Sequence, residues 1–224
     1  MTLSIVARSA DGRSFGVAIA SSSPAVAARC AHGRRGAGAV ATQNITDPRL
    51  GPLMLDAMGA GADANAAVAT ALASTPFAEY RQLLAVARTG PPAVHSGLLA
   101  LGTVASCIGE DAAAAGNLLA DPEVPAAMTA AFAAADGPLA ARLLHALLAG
   151  RDAGGEAGPL HSAGLLVVRD VAWPIVDLRV DWARVDPIGG LLQAWEVFAP
   201  QVEDYVRRAL DPAAAPSFGV PGDE

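Results

Sequence analysis

Residues 2–21 read Thr2-Leu3-Ser4-Ile5-Val6-Ala7-Arg8, then Ser9-Ala10-Asp11-Gly12-Arg13-Ser14, then Phe15-Gly16-Val17-Ala18-Ile19-Ala20-Ser21. Two apolar runs flank a polar segment containing an Asp-Gly pair, which is typical of tight turns. The stretch therefore predicts a β-hairpin, with strands over residues 3–8 and 14–21.

The rest of the chain alternates blocks of strands with blocks of helices. Apolar patterning predicts strands over 37–43, 83–88, 93–97, a segment ending at 117–119, 163–169 and 175–180, and a Gly-rich loop over 151–159. Helices are expected over 53–58, after Asp63, after Pro122, from Leu139 and over 191–210. Grouped strands beside grouped helices predict an α+β fold. With neither a linker nor a repeat, we expect one domain over 1–210 and a Pro-, Ala- and Gly-rich tail over 211–224.

Composition excludes several classes of protein. Of the 224 residues, 53% are hydrophobic and 17% are charged, which argues against disorder, and the net charge of −7 argues against a nucleic-acid partner. No uncharged run is long enough to span a bilayer, and the start lacks the features of a signal peptide, so a cytoplasmic protein without a membrane partner is expected. The two cysteines match neither a disulfide framework nor a zinc spacing. All fifteen basic residues are arginine, which excludes a lysine base.

The first two residues, Met1-Thr2, carry a possible chemistry of their own. Removal of Met1 would leave an amine and a hydroxyl on one residue at the start of a strand. A threonine hydroxyl becomes a nucleophile when a base lies beside it, and an α-amine with an ordinary pKa of about 7.7–8.0 can be that base. The alternative is an ordinary second residue on an N-terminal strand.

Several separated motifs together resemble a known family. They are the Thr-x-Ser-Ile-Val-Ala-Arg opening, residues 16–21, Gly36-Ala37-Gly38-Ala39-Val40-Ala41-Thr42-Gln43-Asn44, Gly51-Pro52, Gly116-Asn117-Leu118-Leu119-Ala120, Glu123-Val124, residues 162–168 and residues 176–181. The set resembles the bacterial and archaeal family known as domain of unknown function 1028, which is placed among the Ntn-hydrolase-like proteins. That resemblance implies an αββα four-layer sandwich, with two packed antiparallel sheets between helical layers.

The resemblance also implies roles for individual residues. Thr2 would be the nucleophile, with its own freed amine as the base. Ser21 lies where proteasome-like members carry an aspartate that holds a lysine, and this chain has neither residue there. Only Arg29, Arg34 or Arg35 could supply the missing positive field from the segment before the third predicted strand, and Arg34 matches the family pattern best.

The oxyanion of such a reaction needs hydrogen-bond donors, and the polar residues near strand ends could also line the cleft. Asn117 is the side-chain candidate for an oxyanion donor, and the N–H of Gly51 is the main-chain candidate. Gln43 and Asn44 end the third predicted strand and are expected to contact substrate. The alternative for all four is structural hydrogen bonding at strand ends.

These expectations predict an N-terminal-nucleophile amidohydrolase that acts on a small-molecule or peptide-like amide, without cofactor or metal. Two rival hypotheses stay open: a non-catalytic binding or scaffold protein of the same fold, and a hydrolase with an internal nucleophile at Ser106 or Cys107. Retention of Met1 would favour the rivals, because the Thr2 nitrogen would then be an amide without basicity. Trp195, Phe198 and Tyr205 could form a homo-oligomer surface, or could equally cover the core.

Overall fold

A computed structural model describes residues 2–220; Met1 and the last part of the predicted tail, residues 221–224, lie outside the described residues. The strands are β1 (Thr2–Arg8), β2 (Phe15–Ser21), β3 (Ala31–Arg34), β4 (Gly38–Asn44), β5 (Arg81–Ala87), β6 (Ala93–Ser96), β7 (Ala105–Ile108), β8 (Ala112–Asn117), β9 (Ser162–Val168) and β10 (Val176–Val180). The helices are α1 (Val26–Cys30), α2 (Leu50–Gly59), α3 (Ala64–Ala73), α4 (Val124–Ala134), α5 (Leu139–Asp152), α6 (Pro187–Phe198) and α7 (Val202–Leu210).

The predicted N-terminal hairpin is confirmed. β1 and β2 pair antiparallel, from Leu3 opposite Ala20 to Arg8 opposite Phe15. At the turn, Gly12 has a φ of 66° and donates its N–H to the Ser9 carbonyl. Glycine adopts this left-handed conformation without steric cost, which explains why the polar segment reverses the chain here.

The strands form two antiparallel sheets. One has six strands in the order β10-β9-β2-β1-β8-β7, and the other has four in the order β3-β4-β5-β6. Because successive side chains of a strand point to opposite faces, β1 serves two different cores. Val6 packs among residues of both sheets, whereas Leu3 and Ile5 pack against α4 and α5.

Helices cover the outer face of each sheet. Met54 of α2 and Val68 of α3 share a buried cluster with Leu83 of the four-stranded sheet. Met128 of α4 and Leu143 of α5 share another cluster with the six-stranded sheet, and α6 packs against the same sheet. The chain is therefore a mixed fold with two antiparallel sheets and flanking helices, as the α+β prediction stated.

The structure differs from the prediction in several places. Neither α1 nor β7 was predicted, α6 begins at Pro187 rather than at residue 191, and α5 extends to Asp152, into the predicted Gly-rich loop over 151–159. Residues 31–34 form a short strand with little apolar character, so the predicted third strand is β4. The helix predicted over 191–210 is two helices, because a 3-10 turn containing Pro200 separates α6 from α7. Trp195 and Phe198 pack partly buried against the core, and Phe198 stacks on Tyr205 with ring centroids 5.6 Å apart.

Within residues 2–220, no helix is both long and apolar enough to cross a membrane.

Candidate active site

Six polar side chains meet at one end of the space between the two sheets. The polar residues come from β1, β2 and β8 of one sheet and from β4 and β5 of the other. On each strand they lie on the same face as the apolar residues that point toward the opposite sheet. None is more than 4% exposed, so each must find its hydrogen-bond partners inside the protein. The six are Thr2, Ser4, Ser21, Gln43, Gln82 and Asn117.

Gln82 lies at the centre of this polar layer. Its Nε2 donates to the Gly116 carbonyl at 3.0 Å and to the Ser96 hydroxyl at 2.9 Å. Because a carbonyl can only accept, this contact settles which end of the amide carries nitrogen. The Gln82 Oε1 therefore faces Gln43 and Asn117, and it accepts a hydrogen bond from each.

Gln43 is oriented in the same way. Its Nε2 donates to the Ala115 carbonyl at 3.2 Å and to Gln82 Oε1 at 2.8 Å, and its Oε1 accepts from Ser4 Oγ at 2.7 Å. Asn117 donates from Nδ2 to Gln82 Oε1 at 3.0 Å. Two main-chain carbonyls thus determine the orientation of three side-chain amides.

The Thr2 hydroxyl begins a second chain of hydrogen bonds. Thr2 Oγ1 donates to Ser21 Oγ over a long 3.5 Å, and Ser21 Oγ lies 2.8 Å from Ser23 Oγ. Ser23 Oγ in turn accepts from the Arg29 guanidinium at 3.3 Å. A hydroxyl relay therefore joins Thr2 to a permanent positive charge, although arginine cannot accept a proton.

Glu156 anchors the turn that carries this relay. Both of its carboxyl oxygens accept from the Ser22 N–H at 3.2 Å, and its backbone bridges Leu119, two residues beyond Asn117. The residue is 6% exposed, and desolvation by burial raises the pKa of its carboxyl from 4.5 to about 7. Burial therefore favours the neutral form of this acid.

The other predicted site residues fall into two groups. Ser21, Asn117 and Gln43 lie with Thr2 at the same end of the sheets. Asn44 lies at that end of β4 with a φ of 72°, where its side chain bonds the Tyr80 carbonyl and the Leu101 N–H.

Arg34 and Gly51 are not brought to Thr2. Arg34 pairs with Gly38 at the opposite end of β4 and forms an exposed ion pair with Asp56 at 2.6 Å. Gly51 lies in α2, where an added Cβ would come within 2.2 Å of the His32 ring. Gly51 therefore gives α2 its close approach to β3 and lies on the outer side of the four-stranded sheet. Of the three predicted arginines, the one that reaches the relay is Arg29.

Sequence reasoning missed four residues of the site: Ser4, Ser23, Gln82 and Glu156. Two left a detectable signal, since Ser4 shares a strand face with Thr2 and Gln82 directly precedes the apolar run of β5. Glu156 left none, because it lies in the loop after α5 and is buried only by tertiary packing.

The candidate internal nucleophiles have different surroundings. Cys107 lies on β7, at the edge of the six-stranded sheet, and its sulfur accepts from the Thr129 hydroxyl at 3.0 Å. Ser106 is exposed on the same strand. Among the described residues, neither has an imidazole or a carboxylate within hydrogen-bond distance.

A cavity of about 510 Å³ adjoins Glu156. Its walls include Gly154, Gly155 and Gly158 of the Gly-rich loop, Leu160, Arg151 and Arg184. Among residues 2–220, no three His, Cys, Asp or Glu side chains are placed to hold a metal ion.

Comparison with known proteins identifies the family. The chain matches the family described as "Family of unknown function (DUF1028)" over residues 2–191. The chain belongs to the DUF1028 family. The chain is similar to a DUF1028 protein from Silicibacter pomeroyi whose crystal structure is known. The two sequences are 31% identical, the structures superpose with a TM-score of 0.84, and the match covers 92% of this chain and 94% of the other. Comparison with curated proteins gives no match.

The family match extends over every residue of the candidate site. It begins at Thr2 and includes Arg29, Gln82, Asn117 and Glu156, whereas α7 lies beyond it. The polar layer and the relay thus belong to the part of the chain that DUF1028 proteins share.

Proposed function

We propose that this DUF1028 protein is an N-terminal-nucleophile hydrolase with the αββα architecture of that superfamily, and that Thr2 is its nucleophile once Met1 has been removed. The observation that carries the proposal is the Thr2 hydroxyl itself. It belongs to the first residue of β1, and a relay of hydrogen bonds leads from it to the guanidinium of Arg29.

The relay supports assigning electrostatic stabilisation and proton acceptance to two different groups. The positive field of Arg29 stabilises a developing alkoxide at Thr2, which is the electrostatic role of the lysine that this chain lacks. Arginine cannot take up the hydroxyl proton, so the base must be another group. The freed α-amine of Thr2 has a suitable pKa and is attached to the same residue.

The reaction would then proceed in two halves. Thr2 Oγ attacks the amide carbonyl while the amine takes the hydroxyl proton, and the tetrahedral intermediate collapses as the leaving nitrogen takes that proton from the ammonium group. This step forms an ester on Thr2 and breaks the amide bond. Water then attacks the ester, with the amine again accepting a proton, and releases the carboxylic acid and the free hydroxyl.

Asn117 remains the side-chain candidate for stabilising the oxyanion, with one restriction. One hydrogen of its Nδ2 is given to Gln82, so only the second can reach a substrate oxygen. The Gln43 side chain is hydrogen-bonded to Ser4, to Gln82 and to the Ala115 carbonyl, which supports a structural role within the polar layer. We place the substrate, a small or peptide-like amide, between Thr2 and the cavity at Glu156.

The test compares two forms of the chain, one starting at Thr2 after cleavage of an N-terminal fusion and one retaining Met1. Each is treated with an electrophilic β-lactone and its intact mass is measured. We expect one hydroxylamine-labile adduct on the Thr2-first form, none on the Met1 form, none on Thr2→Ala and retained labelling of Thr2→Ser. An ester on Thr2 can transfer its acyl group to the adjacent amine, so the hydroxylamine treatment follows directly after labelling. Hydroxylamine-labile labelling of Thr2→Ala would contradict the assignment.

One observation favours the rival, a non-catalytic binding protein. Thr2 is only 4% exposed, whereas a nucleophile has to meet its substrate. If neither form reacts with the probe and neither hydrolyses a panel of amides, this second function is supported. Cys107→Ala and Ser106→Ala serve as controls, because loss of labelling in either variant would point to the internal nucleophile.

A further inference from the structure

The buried Asn117 side chain leaves one polar atom without a partner. Its Oδ1 has no hydrogen-bond partner within the described part of the chain, although the residue is 0% exposed. The orientation of the amide is not in doubt, because the Gly116 carbonyl orients Gln82, whose Oε1 then requires a donor from Asn117. Leaving a buried carbonyl oxygen unpaired is unfavourable, so this position calls for a donor.

The ladder between β1 and β8 turns the Thr2 nitrogen toward the strand position that Asn117 occupies. Thr2 is opposite Asn117, and the Arg8 N–H donates to the Asp111 carbonyl at 2.9 Å, six residues along the same ladder. Hydrogen-bonded pairs alternate along antiparallel strands, so the pairs recur at every second residue from Arg8 down to Thr2. The Thr2 nitrogen therefore points toward β8 at Asn117, on the same pair whose side chains share the inward face.

We propose that Asn117 Oδ1 is the acceptor for the free α-amine of Thr2, and that removal of Met1 completes this hydrogen bond. A peptide nitrogen carries one hydrogen, which the ladder to β8 uses, whereas a terminal amine carries two or three. The extra hydrogens appear only after Met1 has been removed, beside an acceptor that is already in place. Asn117 is thus a positioning residue that holds the base of the proposed reaction, and the inference rests on the proposed function in requiring a Thr2-first chain.

Charged and titratable groups lie at the same end of the sheets and are the same in every Asn117 variant, so they do not account for a difference between variants. They are Arg29 through the relay, Glu156 at the Ser22 turn, Arg81 at the start of β5, Arg151 near the end of α5, and His161, whose main-chain N–H donates to the Ser21 carbonyl.

The absence of lysine allows a direct test, because the α-amine is the only primary amine of the Thr2-first chain. Competitive labelling with isotopic acetic anhydride over a pH series gives its pKa, read from the tryptic peptide of residues 2–8. An acceptor stabilises the ammonium form, so we expect the pKa to fall in the order Asn117→Asp, wild type, Asn117→Leu. Each step should be about one pKa unit, a tenfold change in the ratio of neutral to charged amine.

Ser96→Ala is the matched control, since it removes a hydroxyl from the far side of the same network and should leave the amine pKa unchanged. If Asn117→Leu does not fold, the Asn117→Asp shift alone decides. Equal pKa values in wild type and the Asn117 variants, within a few tenths of a unit, would overturn the inference. The pKa measurement needs no substrate, so its outcome is independent of the β-lactone test. The contact between Asn117 and the amine can be confirmed even if Thr2 does not react, and it can be refuted even if Thr2 does react.

Discussion

Burial of the Glu156 carboxyl should make the stability of the protein fall as pH rises through the neutral range. The pKa of this group is 4.5 when solvated and about 7 in the fold, with desolvation as the leading cause. Between those two values the folded state binds one proton more than the unfolded state, so the free energy of unfolding decreases with pH. The stabilisation is fully present below pH 4.5 and is lost as pH rises toward 7.

The size of the effect follows from the shift. At 1.36 kcal/mol for each pKa unit, a shift of about 2.5 units gives an upper bound of about 3.4 kcal/mol, and relaxation around the carboxyl reduces this to about 2–3 kcal/mol. Glu156→Gln keeps an acceptor for the Ser22 N–H and removes the titration. The variant should therefore lose the slope and exceed the wild type in stability above pH 7.

The assay is urea unfolding of both proteins at several pH values from 4.5 to 8.5, with the slope of stability against pH as the readout. Glu203→Gln is the matched control: its ion pair with Arg169 lowers the pKa of that carboxyl, so it is ionised in both states above about pH 6 and contributes no slope there. If wild type and Glu156→Gln show parallel pH profiles, the carboxyl is solvated and the reasoning fails.

Three further variants test the packing and the relay. Gly51→Ala should destabilise the protein by about 1–3 kcal/mol in thermal unfolding because its Cβ would overlap the His32 ring, and an unchanged melting temperature would contradict that contact. Gln82→Leu leaves the buried donors of Gln43 and Asn117 without an acceptor and should lower the free energy of unfolding in urea by about 3–5 kcal/mol. A decrease below about 1 kcal/mol would mean that water replaces the amide. Arg29→Gln should slow β-lactone labelling of the Thr2-first chain about tenfold or more, while Arg35→Gln, which lies elsewhere, should label at the wild-type rate.

Much of the fold was predictable because its signals are local. The Asp-Gly turn between two apolar runs defines the first hairpin, and Asp63 caps α3 by accepting from the Ala66 N–H, as its position before the helix predicts. The broken C-terminal helix was not predicted, because the apolar spacing that continues across Pro200 was given more weight than the helix-breaking signal of Pro200 itself.

The sequence by itself determined the hairpin, the α+β class, the polar residues at strand ends and the lysine-free chemistry, since each depends on residue type and near neighbours. Only the tertiary structure decided which polar groups meet. It connected Arg29 rather than Arg34 to Thr2, because the register of β3 on β4 carries Arg34 to the far end of the sheet. It also buried Glu156 beneath the Ser22 turn and left Asn117 Oδ1 unpaired, because burial and hydrogen-bond partners arise from packing between segments that are distant in the chain.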